Sequence, residues 1–393
     1  MMNYDKILNK SVVGIKPSGI RKFFDIAETM NDVISLGVGE PDFPTPWNVR
    51  SAGIRSLEQS KTRYTSNKGL EHLRKEVSNY VKRKYNLDYN WQKEVLITVG
   101  GSEGIDAAMR AIVAPGDEVI IPQPSYVCYE PITVLAGGTP VIIETKAEDE
   151  FRVTPEQLRE KITDKTKLLI LPYPCNPTGG VMRKSDLEAI AEVLRGTDIM
   201  VLSDEIYAEL TYGDEKHVSI ASVEGMKERS IIVNGFSKTF SMTGWRLGYL
   251  CGPEEVVNQI TKIHQFAIMC APTTSQYAAV EALKNCDETV DAMAEEYDMR
   301  RRLMVKGFND LGLTCREPQG AFYAFPSIKR TGMTSDEFCE KLLISKKVAI
   351  VPGTAFGLGG EGFVRASYCY SVKHINEALR RIGEFLKEIE GEH

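Results

Sequence analysis

From Val95 to Pro253 short apolar runs alternate with stretches of helical character, and no other feature of the chain restricts its fold so strongly. VLITVGG leads into SEGIDAAMRAIV, EVIIPQP into YVCYEPITVLAGG, PVIIETK into TPEQLREKI, and KLLILPYP into SDLEAIAEVLRG. DIMVLSDEIY, SIIVNGFS and LGYLCGP complete the series. Strands without polar alternation must be covered on both faces, the condition met inside a mostly parallel sheet flanked by helices. Seven such strands predict an α/β fold: a large domain with a mostly parallel seven-stranded sheet between helices.

At 393 residues the chain has room for a second domain. Residues 1–45 read as an arm of short apolar pieces that joins part of a small domain. Residues 46–285 make the large domain, and 286–393 a smaller C-terminal unit. In 68–85, Leu70, Leu73, Val77, Tyr80 and Val81 recur at helical spacing. After Glu254 the texture is helical (EEVVNQITKIHQF, TSQYAAVEALKN and 288–311). GAFYAFPSI, VAIVPG and FVRASYCYS then read as strands, and VKHINEALRRIGEFLKEIE as a closing helix. The arm is expected to pack with this α+β unit, making the small domain discontinuous.

Charge and cysteine usage narrow the function. Lys plus Arg is 48 against 54 Asp plus Glu, so no positive excess draws the chain to nucleic acid or an anionic membrane. The eight cysteines form no CxxC pair and the histidines number five, so no metal site is expected and the thiols read as small hydrophobes. No run approaches the roughly 18 apolar residues of a membrane span, and the N-terminus lacks a signal-peptide h-region. A cytosolic protein is the expectation.

The segment most suggestive of chemistry is NGFSKTFSMTGWRLGY, residues 234–249. A lone lysine is ordinarily a solvated surface charge. Lys238, however, follows an apolar strand and small residues, and ligands of open α/β sheets collect at the carboxyl ends of strands. A lysine so placed can lose part of its charge preference and form a Schiff base. Residues 235–248, GFSKTFSMTGWRLG, resemble the lysine-attachment signature of class I pyridoxal-phosphate (PLP) aminotransferases, of the aspartate aminotransferase fold type. The resemblance extends over essentially the whole chain and is nearest to the prokaryotic branch of aromatic, aspartate and N-acetyl-diaminopimelate aminotransferases.

That resemblance implies a role for each of several residues, beside a plainer reading. Asp204, closing IMVLSD, would hold the PLP pyridine nitrogen protonated; it is also placed to cap the following turn. Tyr207 in DEIY and Asn176 in PYPCNPTGG would donate to the cofactor's phenolic oxygen, where the alternatives are a core tyrosine and a turn former. Gly101 and Ser102, between the strand VLITV and a helix opening at Glu103, would receive the phosphate, with the guanidinium of Arg246. The family usually has a hydroxyl residue at the position of Gly235. Strand alternation would place Ser237 on the same side, as a substitute. Tyr126 in PQPSYVCYE matches the aromatic that stacks on the ring, or else is core.

Arg365, a charge in the apolar strand FVRASY, requires a partner. It is either half of a buried ion pair or the clamp on the substrate α-carboxylate, which Gly39 in SLGVGEPDF would approach through its backbone. Tyr64 in TRYTSNKG matches a tyrosine reaching the phosphate of the neighbouring subunit, which implies an obligatory homodimer. Cis bonds at Asn176–Pro177 and Gln123–Pro124 follow from the same resemblance.

The implied reaction moves an amino group between an L-amino acid and a 2-oxo acid, with 2-oxoglutarate the acceptor by family analogy. Lys238, Asp204 and Tyr207 would be the catalytic set. A carbon–sulfur β-lyase would share nearly all these residues; a non-enzymatic sensor would need a DNA-binding segment. Ser102 stands where some aspartate-specific relatives carry lysine, and Glu103 follows it. With Ile15, Ile20, Tyr64 and Tyr126 near the expected mouth, this favours an aromatic or other uncharged donor, unless Lys16 or Lys68 supplies the missing cation for aspartate.

Overall fold

The computed structural model describes residues 2–17, 19–20, 30–213 and 216–391. After the arm's short strand β1 (Ile34–Ser35), the expected apolar runs form β2 (Val95–Thr98), β3 (Glu118–Gln123), β4 (Thr139–Glu144), β5 (Thr166–Leu171), β6 (Met200–Asp204), β7 (Ser230–Gly235) and β8 (Gly248–Cys251). They build one sheet in the order β2-β8-β7-β6-β5-β3-β4. Only β8 runs against its neighbours; the other pairings are parallel.

Double-sided burial explains the unbroken apolar runs. Along β5, Leu168 and Ile170 join one core cluster with Leu202, Ile231 and Ile105. Leu169 and Leu171 point the other way, to Val201, Leu187 and Ile190. Each such side chain taken out of water contributes about 1.5–3 kcal/mol. Covering helices start where the sequence caps them, as at Thr154, whose hydroxyl accepts the Gln157 N–H while the Gln157 side chain accepts the Thr154 N–H.

The second unit has β9 (Tyr323–Ala324), β10 (Val348–Ala349), β11 (Val351–Pro352) and β12 (Val364–Ser367), with β12 central and antiparallel to β11 and β9. The arm joins it: β1 pairs in parallel with β10, and the Leu36 carbonyl accepts the Ser367 N–H at 2.7 Å.

Three local readings change. The helix after β2 begins at Gly100, not Glu103, because Gly100 adopts a left-handed φ of 78° and turns the chain at once into the helix. Ser237 is not on a strand: β7 ends at Gly235, and Phe236–Thr239 form one helical turn. The helix expected over 68–85 spans Glu71–Tyr85. Among the described residues no helix is long and apolar enough to cross a membrane, and no group of three His, Cys, Asp or Glu side chains could hold a metal.

Candidate active site

Strand direction gathers the candidates. β2, β5, β6 and β7 share one orientation, so Gly100 to Ser102, the loop of Asn176, Asp204 and Lys238 all emerge at one edge of the sheet. A cavity of about 460 Å³ opens there. It is lined by Gly39, Gly101, Ser102, Tyr126, Asn176, Asp204, Tyr207, Ser237, Lys238, Arg246 and Arg365. Of the residues assigned to the cofactor or the substrate α-carboxylate, only Tyr64 is absent from the lining; it is 83% exposed.

Lys238 donates from Nζ to the Gly39 carbonyl at 2.6 Å, and burial pushes its amine down to about 8. Asp204 is buried, which pushes its carboxyl up to about 6 against the opposing hydrogen bonds. Its Oδ2 accepts from the Tyr129 hydroxyl at 2.7 Å, and its Oδ1 accepts the Ile206 N–H at 3.2 Å. The turn-capping reading and the cavity-lining reading therefore both hold. Tyr207 likewise sits in the core and lines the cavity, its hydroxyl 2.9 Å from that of Tyr323.

Arg365 does not form the buried ion pair that was one expectation. It is 2% exposed, donates to Asn176 Oδ1 at 2.8 Å and to the Gly37 carbonyl, and lies between the rings of Tyr323 and Phe356. Its Nε has no partner. It meets no carboxylate among the described residues, so a buried guanidinium there calls for an anionic ligand.

Beside the start of the helix after β2, the Arg246 guanidinium lies against Gly100, where a Cβ would stand 2.7 Å from Nη2. The free N–H groups of the helix start at Gly101 and Ser102. At Gly235 a Cβ would meet Gly248 Cα and the Leu247 carbonyl at 3.2 Å, so the hydroxyl residue usual in the family has little room. Ser237 reaches the cavity from its helical turn instead.

Glu103 and Lys68 do not face the cavity. Glu103 bonds the Val99 N–H and His264 behind it. Lys68 Nζ donates to Asn258 Oδ1 at 2.9 Å. The expected like charge and its rescuing cation are thus both absent from the lining, because each side chain has a partner on the helix Glu254–Ala267. Lys16 and Ile15 line a neighbouring cleft, and Ile20 lines the main cavity. Gln123–Pro124 and Asn176–Pro177 are cis, and so is Tyr173–Pro174, which had not been expected. Tyr129 and Tyr323 were also missed. Tyr129 lies three residues after Tyr126, but nothing in the sequence pairs it with Asp204.

The family model described as "Aminotransferase class I and II" matches residues 31–382. The chain is 52% identical, over 96% of its length and 98% of the relative's, to the Bacillus subtilis (strain 168) protein named "Putative aminotransferase YugH". It is 46% identical to an aspartate aminotransferase of Pyrococcus abyssi, covering 95% and 97% of the two chains. The crystal structure of an aromatic aminotransferase from Pyrococcus horikoshii superposes with a TM-score of 0.89 at 43% identity, covering 93% of this chain and 99% of that one.

Proposed function

From membership of the class I and II aminotransferases, the family to which this chain belongs and whose activity it has, we infer that Lys238 anchors PLP and carries the proton in the transfer reaction. The observation that supports this most is a buried amine pushed down to about 8 in the same cavity as a buried carboxyl pushed up to about 6. The donor set fits the cofactor: helix N–H groups and Arg246 for a phosphate, Asp204 for a ring nitrogen, Asn176 and Tyr207 for a phenolic oxygen, and Tyr126 for a ring face. When bound, PLP supplies an electron sink and carries the amino group between donor and acceptor.

The residues then divide the work. Arg365, held between two rings with Nε free, takes the substrate α-carboxylate, and the Gly39 backbone approaches the same end. Lys238 Nζ, tilted by burial toward its neutral form, accepts the α-proton and returns it. Asp204 places negative charge where a protonated ring nitrogen would be held, and Tyr129 fixes its orientation.

Tyr64 is read as completing the partner's site in a homodimer. Its loop is braced, with the Arg63 carbonyl accepting from Thr273 and the Thr65 hydroxyl from Gln276. The tyrosine itself faces outward, and Trp47, Phe266 and Met269 are exposed as well. Residues 1–45 and 286–393 are taken as a small domain against 46–285, and the enzyme as cytoplasmic.

For the donor we propose an aromatic or other uncharged amino acid, with 2-oxoglutarate as acceptor. Among the described residues the cations lining the cavity are Lys238, Arg246 and Arg365, each already assigned, while Ile20, Val38 and Val127 add apolar surface. Burying an aromatic side chain there returns about 1.5–3 kcal/mol. The test is kcat/KM for tyrosine against aspartate: equal or better use of tyrosine is expected, and a strong preference for aspartate would overturn this substrate assignment.

A further inference from the structure

The Glu103 carboxylate does not line the cavity but stands directly behind the turn that does. Its Oε2 accepts the Val99 N–H at 3.0 Å, and its Oε1 lies 3.0 Å from Nδ1 of His264. His264 is fully buried, and its Nε2 has no partner. Nδ1, facing a carboxylate, is the nitrogen that carries the proton.

A buried imidazole with one nitrogen unpartnered is a costly way to fill space between two helices. What it provides that leucine would not is a hydrogen-bond donor for Glu103. Glu103 in turn holds the N–H of the residue before Gly100, where the chain turns left-handed beneath Arg246. The opposite side of this turn presents Gly101 and Ser102 to the cavity.

We propose that Glu103 and His264 are positioning residues for the phosphate end of the cofactor, acting through residues 99–102. The proposal rests on the PLP reading above. His264 orients the Glu103 carboxylate, the carboxylate fixes Val99, and the N–H groups that follow are aimed before the anion arrives. The pair also draws the Glu103 charge back toward His264, where it competes less with an incoming phosphate for the helix N-terminus.

The test titrates cofactor-free protein with PLP and with pyridoxal, which lacks the phosphate. Glu103→Ala and His264→Leu are expected to weaken PLP binding by about tenfold or more, as removal of a part-buried charge-assisted hydrogen bond should, and to leave pyridoxal binding within about twofold. His264→Asn, which keeps an N–H near the position of Nδ1, is expected to recover most of the PLP affinity. Glu103→Ala truncates a partly exposed side chain at a helix start, so it decides the matter even if His264→Leu fails to fold. Wild-type PLP affinity in Glu103→Ala, or a parallel loss for pyridoxal, would overturn the proposal. Wild-type protein that binds PLP no better than pyridoxal would overturn the cofactor reading, and this inference with it.

Discussion

Burial moves Asp204, at the end of β6, and Lys238, in the helical turn after β7, in opposite directions, because it disfavours the charged form of each. Asp204 rises to about 6 from an ordinary 3.8. Between these values the folded chain binds more protons than the unfolded one, so stability falls as pH rises through that window. At about 1.4 kcal/mol per pH unit, the ionised carboxylate costs the cofactor-free fold about 3 kcal/mol above pH 6. Cofactor-free Asp204→Asn is therefore expected to resist denaturant better than wild type at about pH 7.5, with the gap closing toward about pH 4, while losing most transferase activity. Equal stability across that range in denaturant titrations would contradict the buried-charge account. Lys238 and Asp204 were legible as candidates because Asp204 closes an apolar strand with a charge and Lys238 follows one within a few residues. Tyr129 was not: its hydrogen bond to Asp204 spans 75 positions and leaves no local trace.

At the scale of elements, the segment after β1 binds the site together. The Gly37 carbonyl accepts from Arg365, and the Gly39 carbonyl accepts from Lys238. A Cβ at Gly39 would stand 1.9 Å from the Tyr323 hydroxyl and 2.8 Å from its Cζ. That ring is stiff and hydrogen-bonded to Tyr207, so in Gly39→Ala the segment that holds Lys238 must shift. A loss of about 100-fold in kcat/KM is expected, the scale of a misplaced catalytic group, with the protein still folded by circular dichroism. Wild-type kinetics would show that the segment's position is immaterial. All seven sheet strands were readable from their apolar runs. The helix Trp47–Glu58 leaves no periodic signal in the sequence, because it buries Val49, Gly53 and Ser56, which form no apolar stripe; its Gly53 packs closely on Trp245 instead. The helix Ser335–Lys346 did carry a signal, the Thr334 and Glu337 capping box. Period-two alternation stops with β7 at Gly235, so Ser237 lies in the helical turn and not on the strand.

For the whole molecule, the homodimer reading predicts that active protein sediments as a dimer with an interface of about 2,000 Å² or more, as expected of an obligate pair. A fully active monomer would remove Tyr64 from the site. Neither the β1 and β10 pairing nor the edge at which β2, β5, β6 and β7 all end could be read from local pattern alone. Both depend on chain direction over long separations; the expected packing of the arm on the C-terminal unit places β1 beside it but does not choose its partner strand.

The central claim, that the amine of Lys238 is where this aminotransferase holds its cofactor, is tested most directly by saturating the protein with PLP, reducing with borohydride and mapping the modified peptide by mass spectrometry. The account predicts a single pyridoxyl group, on Lys238 in the segment GFSKTFSMTGWR. Stoichiometric labelling at any other lysine, or no stable labelling of active enzyme, would contradict it.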